Sequence, residues 1–343
     1  INNDLVLQGT PDLPISISST EAGTQASFQM NSGTVSGTYL VLQDNNASGG
    51  AFFSATQSLD NGNNSGWNIE ELQPQDYYWV GNGGEWSDAA NHWATTSGGS
   101  NFHNFPPSVL DNVYFDDNSF TATDQQVTIQ NNVSCHDMDW SEVTNSPVFN
   151  PAGNNVNIYG SVYFAENMSV SNGDWFMLST ENEVISTMNE NGFGTSAEVY
   201  FQSGGTFDLQ ANFKSRVLQF ESGEFNSNGY DVWVDFNLYF SGQDDKVFDI
   251  QNSSCYFRGL QWNDNLGDNL FFDNTGGLIQ WSGTLSPGNF NDQLDIVHIF
   301  NDLLCESNGF QDQAQVNTNI EANTLTIAPG KTLQFWLSTQ VTV

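Results

Sequence analysis

Lysine and arginine are nearly absent: the 343-residue chain carries 5 of them against 40 aspartates and glutamates, a formal net charge of −35. Such a field repels a phosphate backbone, which excludes nucleic acid as a partner, and it repels an anionic leaflet equally. Long apolar runs are missing too. No stretch approaches the roughly 18 consecutive apolar residues that a membrane helix needs, so no membrane insertion is expected. Cysteine is scarce. Cys135, Cys255 and Cys305 cannot all pair with one another, and none stands in a CxxC or Cys/His metal spacing, so buried thiols with at most one bridge are expected. The shortage of Lys and Arg also removes the residues that surface helices use for ion pairs, and almost no helix is expected.

What is present is aromatic and turn-forming. Phe, Trp and Tyr make up 13% of the chain, which sets it apart from disordered acidic segments and demands a buried core. Asn numbers 43 and Gly 31. All five basic residues, Lys214, Arg216, Lys246, Arg258 and Lys331, lie after position 213, while the first 213 residues hold 24 of the 40 carboxylates. That first part can offset its charge only with salt or divalent cations, which favours a salty, calcium-containing extracellular medium. The start at Ile1 shows no signal peptide, so the expectation is a piece of a longer exported chain.

A repeat organises these residues. Ser203-Gly204, Ser222-Gly223 and Ser241-Gly242 recur every 19 residues, with Phe201, Phe220 and Tyr239 two positions before each Ser. This spacing predicts three aromatics stacked at one rung position. Short strands over 197–202, 217–220 and 232–240, separated by Gly/Asn/Ser/Asp turns, describe the coils of a right-handed parallel β-helix, an all-β β-solenoid. Asn tolerates the left-handed backbone of sharp corners and can hydrogen-bond along a ladder of like residues. The alternative reading is a β-sandwich with Gly-rich hairpins. Residues 76–111, with Trp79, Trp86 and Trp93 seven apart and then Pro106-Pro107, break the pattern and mark a boundary. Asp295 to Leu304, an apolar run without Gly or Pro, is expected as one longer strand or a short helix.

The segment Tyr77-Tyr78-Trp79-Val80-Gly81-Asn82-Gly83-Gly84-Glu85-Trp86-Ser87-Asp88, continuing through Asn91-His92-Trp93 to Gly98-Gly99, resembles a family of modules. It is similar to the "YWVGG-G-WSD-NHW-SGG" openings of giant repeat adhesins on the surface of Bacteroidota, exported by type IX secretion, of the gliding-adhesin or hook-like appendage kind. It departs from that pattern at Asn82 and Glu85. The resemblance implies that residues 1–75 are the end of one β-solenoid module, 76–111 an aromatic boundary or cap, and 112–343 most of a second module.

Two groups of candidate site residues stand out. Tyr78, Trp79, Trp86 and Trp93, with Tyr77, form either a packed plug over the end of the solenoid or a sugar-stacking platform. Asp111 with Asp116-Asp117, Asp137 with Asp139, and Asp244-Asp245 are candidate hard-oxygen ligands for Ca2+. No nucleophile elbow or phosphate loop is present. The one basic cluster, Lys214, Arg216 and Arg258, is weak provision for a lyase of acidic sugars in a chain this negative. The expected function is therefore a structural and adhesive module of a long extracellular surface filament without catalysis. Its partners would be a target-cell surface or glycan and further copies of itself, the latter needing cations or a large apolar interface to overcome repulsion. A glycan-binding module is the second reading, and a β-helix polysaccharide lyase or glycoside hydrolase the third.

Overall fold

The computed structural model describes residues 4–11, 13–262, 270–282, 284–287, 297–305, 313–316, 319–329, 332–335 and 341–343. Its strands follow from two-residue alternation. Asn155–Ile158, Asp174–Met177 and Glu198–Phe201 each alternate half-buried and buried positions, so every second side chain enters one core. Successive strands pair in parallel rather than folding back as hairpins. The chain is thus a parallel β-solenoid of about 11 turns, and the sandwich alternative is excluded.

From Asp76 onward the coil has three faces. The first runs from Asp76–Trp79 through Asn112–Tyr114, Met138–Asp139 and Val162–Phe164 to Leu270–Asp273. The second comprises Gly84–Glu85, Gln126–Thr128, Val148–Asn150 and Ser169–Val170. The third follows a path of eleven strands from Val133–Cys135 to Val341–Thr342. At the open end of the first face, Trp93–Ala94 pairs antiparallel with Asp76–Trp79, covering an edge that would otherwise template another strand. The short helix Ala89–His92 leads into that covering strand.

Aromatic rings form a continuous column along the axis. Trp79 meets Trp93 at 4.9 Å between ring centroids, Trp93 meets Phe115 at 5.5 Å, and Phe115 stacks on Trp140 at 3.5 Å. The column passes through Phe149, Trp175, Phe193, Phe213 and Phe225 to Phe248 in steps of 4.8–5.7 Å. Each such ring contributes roughly 1.5–3 kcal/mol by leaving water. Cys135 and Cys255 are free thiols in this core, and burial pushes the Cys255 thiol up to about 12.

The 19-residue ruler fails by one residue, and the failure has a cause. Beyond Ser169–Val170 the third-face strands lengthen to Phe213–Phe220, Val232–Phe240 and Ser254–Trp262. Between Val234 and Asn237 the middle strand carries Asp235 and Phe236 opposite the single residues Arg216 and Arg258 of its neighbours, a β-bulge. The inward stack is therefore Phe201, Phe220 and Phe240, at 5.6 and 6.1 Å, while Tyr239 lies opposite Gln219 and is half-buried. Two of the three Ser-Gly corners take the left-handed form that favours glycine: Gly223 has φ +90° and Gly242 φ +80°, and a Cβ at Gly223 would meet the Gly205 carbonyl at 2.4 Å, whereas Gly204 is not left-handed. The apolar run after Asp295 is a strand over Val297–Cys305, while 295 and 296 lie outside the described residues.

Residues 4–71 form smaller sheets of their own, Asp4–Gln8 with Thr34–Thr38, Phe52–Asp60, Leu40–Gln43, Ile15–Ser18 and Asn68–Glu71, beside the pair Ala26–Gln29 and Asn45–Ser48. No strand pairing among the described residues joins these sheets to those that follow.

Candidate functional site

The boundary tryptophans are inside the protein. Trp79, Trp86 and Trp93 are 0%, 1% and 0% exposed. The Trp79 indole donates to the Asn82 carbonyl at 2.6 Å and the Trp93 indole to the Trp86 carbonyl at 2.8 Å. The imidazole of His92 lies flat on Trp79, 4.5 Å between centroids, with Nδ1 2.8 Å from the Val80 carbonyl oxygen. A sugar platform needs exposed ring faces, and these three have none, so the arrangement is the plug of the core. Tyr78 alone of the four faces outward, stacked on Tyr114 at 5.0 Å on the first face. Burial and the acidic neighbours Asp76, Tyr78, Asp137 and Asp139 raise the Tyr114 hydroxyl to about 12.

The candidate calcium ligands do not converge. Asp111 is buried, and its carboxylate accepts from the Ser108 amide and hydroxyl at 2.8 and 2.6 Å and from the Gln75 amide at 2.9 Å. It is a joint between the chain before the main coil and the loop closing its first rung. Burial pushes this carboxyl above the ordinary aspartate value, against the opposing hydrogen bonds from Ser108 and Gln75. Asp116 and Asp117 cap their own turn through Asn118. Asp137 and Asp139 flank the buried Met138 and point outward, but Asp137 accepts from the Ser161 amide and the His136 ring while Asp139 accepts from the Ser141 amide. Asp244 and Asp245 are exposed at a corner, where the Lys246 ammonium turns back onto the Gly242 and Asp244 carbonyls. Among the described residues no group of three or more His, Cys, Asp or Glu side chains is placed to hold a metal ion.

A surface that the sequence marks only by its basic cluster, Lys214, Arg216 and Arg258, lies on the outer side of the third face. Parallel register places Trp233 beside Lys214 and Tyr256, and Tyr239 beside Gln219. Phe176 stacks on Tyr200 at 4.5 Å and 4°, and Trp233 on Tyr256 at 4.3 Å and 22°. Trp233 is 43% exposed and is the most exposed tryptophan among the described residues. The bulge pushes Phe236 out between two guanidinium groups, Arg216 at 5.1 Å and Arg258 at 5.2 Å from its ring centre. The result is an open groove bordered by Glu198, Gln219, Tyr239 and Ser241.

One ion pair, Arg216 with Glu198, borders the groove. Arg216 donates to Glu198 at 3.1 Å, and the Tyr200 hydroxyl donates to the other Glu198 oxygen at 2.8 Å. The Trp233 indole donates to Asp235. Burial raises the Asp174 carboxyl, with the Glu198 amide and Arg216 acting against it and the Glu198 carboxylate in the same direction. Among the described residues, no carboxylate stands within ion-pair distance of Arg258. Donors, acceptors and ring faces are thus set side by side on a rigid sheet. Comparison with family models, with curated proteins and with solved structures found no match for the chain.

Proposed function

We propose that this chain is a structural and adhesive module of a long extracellular surface filament, working by display rather than catalysis. The observation that carries the reading is the uninterrupted aromatic column through stacked parallel rungs, because such a coil grows by adding turns and buries a continuous core at any length. At roughly 4.8 Å per rung, eleven third-face strands correspond to about 50 Å of rod. The resemblance of residues 77–99 to module openings of Bacteroidota surface adhesins supports the same reading. So does the net charge of −35, which keeps rods apart in solution and leaves assembly of copies to cations such as calcium.

The test is physical and cellular. Two copies joined in tandem should give a rod about twice as long by electron microscopy and small-angle scattering, and beads coated with the whole chain should adhere to bacterial or polysaccharide surfaces. Tandem chains that do not lengthen, or coated beads that adhere no better than bare ones, overturn the proposal.

A further inference from the structure

We propose that the outer surface of the third face, where the bulged groove around Phe236, Arg216, Gln219 and Tyr239 shares its strands with the stacked pair Trp233 and Tyr256, binds a neutral oligosaccharide. This assignment names the ligand of the adhesive reading and rests on that reading.

Ring faces come first. A pyranose presents an apolar C–H face and a rim of hydroxyls, so it is held by a flat ring with hydrogen-bonding groups beside it. Trp233 leaves 43% of its surface in water in a chain that buries Trp79, Trp86, Trp93, Trp140, Trp175 and Trp281 almost completely. That exposure gives up apolar burial unless something covers it. Its stacking on Tyr256 and its tie to Asp235 fix the ring plane, so little side-chain freedom is lost when a ligand lands.

Charge selects the class. Arg216 is paired with Glu198, while Arg258 has no carboxylate within ion-pair distance among the described residues, so the groove offers donors and acceptors around a single unpaired guanidinium, inside a molecule of net charge −35. An anionic glycan is repelled under these conditions and a neutral one is not. Guanidinium forks and carboxylates are well suited to the adjacent hydroxyls of a sugar. Periodicity points the same way: rungs repeat at roughly 4.8 Å, close to the rise of one hexose along an extended β-linked chain. An added peptide strand is disfavoured, because Phe213–Phe220, Val232–Phe240 and Ser254–Trp262 are each paired on both sides and offer no free edge. The bulge itself supplies the groove, in keeping with the use of bulges to re-aim side chains at sites.

The test uses the whole chain, with cellohexaose, xylohexaose and laminarihexaose as neutral probes and hexagalacturonate as the anionic one, read by calorimetry. At least one neutral hexaose should bind, Trp233→Ala should weaken it by about tenfold or more, and Tyr114→Ala, on the first face, should leave it unchanged. No binding of any neutral hexaose, equal affinity in Trp233→Ala, or tighter binding of hexagalacturonate overturns the assignment. Bead adhesion separates it from the broader reading. Beads that adhere equally with and without Trp233 remove the groove and leave the adhesive module standing, whereas hexaose binding by non-adherent beads removes adhesion and leaves the groove.

Discussion

Residues 4–72 and the coil from Asp76 onward share a parallel coil but close it with different forces. In the larger coil the interior is an aromatic column whose members are mostly 0–1% exposed. In the smaller one two separate clusters, Val35, Ala47 and Phe53 in one and Leu40, Leu42 and Ala55 in the other, are flanked by half-buried Leu5, Leu7, Ile15, Ile17, Phe28 and Trp67. Its corners are held by polar ladders instead. The Asn45 side chain donates to the Ile17 and Gln43 carbonyls at 2.6 and 2.8 Å, Asn64 donates to the Leu42 carbonyl at 2.9 Å, and Asn63 donates to Asp44 at 2.6 Å. Hydrogen bonds return only about 0.5–1.5 kcal/mol each once water is counted, whereas burial of a large ring returns roughly 1.5–3. The same topology therefore yields a strong unit and a weak one, and the weak one should open first.

The largest effect that could break this contrast lies in the aromatic column. Trp140→Ala removes a fully buried ring stacked at 3.5 Å on Phe115 and should cost about 3–5 kcal/mol, lowering the main thermal transition. Phe53→Ala in the smaller unit should lower a separate, earlier transition, with amide exchange rising over residues 4–72 and protection from Tyr77 onward unchanged. One common transition for both variants would show a single cooperative unit. A smaller effect comes from backbone geometry. Gly66 has φ +76° with the Ala47 carbonyl 2.0 Å from where a Cβ would stand, so Gly66→Ala should cost the smaller unit more than about 2 kcal/mol. Gly229, at φ +84° in open space on the larger coil, should cost only about 1–2 kcal/mol as Gly229→Ala, by chemical denaturation.

The joint between the units comes next in size. Asp111→Asn loses an acceptor for Ser108 and should cost about 1–3 kcal/mol, read as faster limited proteolysis over residues 72–75 with the aromatic near-ultraviolet signal retained. The pH dependence has a defined sign. The folded carboxyl binds its proton above the ordinary aspartate value because it is buried, so the folded state holds more protons than the unfolded one just above that value. Stability from this group is full below the unfolded value and is lost as pH rises through the folded one. Asp111→Asn should flatten that slope; a wild-type stability that climbs through the same interval with no change in the variant contradicts the assignment.

Much of this was legible in the residues. The Ser-Gly period of 19, with aromatics before each Ser, announces a solenoid, whereas the spacing of Trp79, Trp86 and Trp93 leaves plug and platform open and only their burial separates the two. The groove was not legible for a specific reason. A fixed period places Trp233 over Lys214, but Tyr256 is 23 residues further and Arg258 is 42 beyond Arg216, because coils here differ in length and the Asp235-Phe236 bulge adds a residue. Register across parallel strands depends on each turn's length, which local composition does not encode. The aspartate pairs disclose less: i,i+2 spacing does place Asp137 and Asp139 on one face, but it does not show that one oxygen of each accepts from a backbone amide.

The smallest effect sharpens the contrast from the surface. Glu198→Gln removes the ion pair with Arg216, whose partners are about a third exposed at 30% and 39%. Exposed pairs are worth about 0–1 kcal/mol and are screened by salt. Gln can still accept from the Tyr200 hydroxyl, so the loss should be below about 0.5 kcal/mol at low salt and vanish at high salt, with the main thermal transition almost unmoved. A matching substitution in the smaller unit, Asn45→Ala, leaves the Ile17 and Gln43 carbonyls without their side-chain donor and should cost several times more. If Glu198→Gln instead destabilises the chain as much as Asn45→Ala, the large coil depends on its outer polar strip as well as its rings, and the division between a ring-held and a ladder-held solenoid is lost.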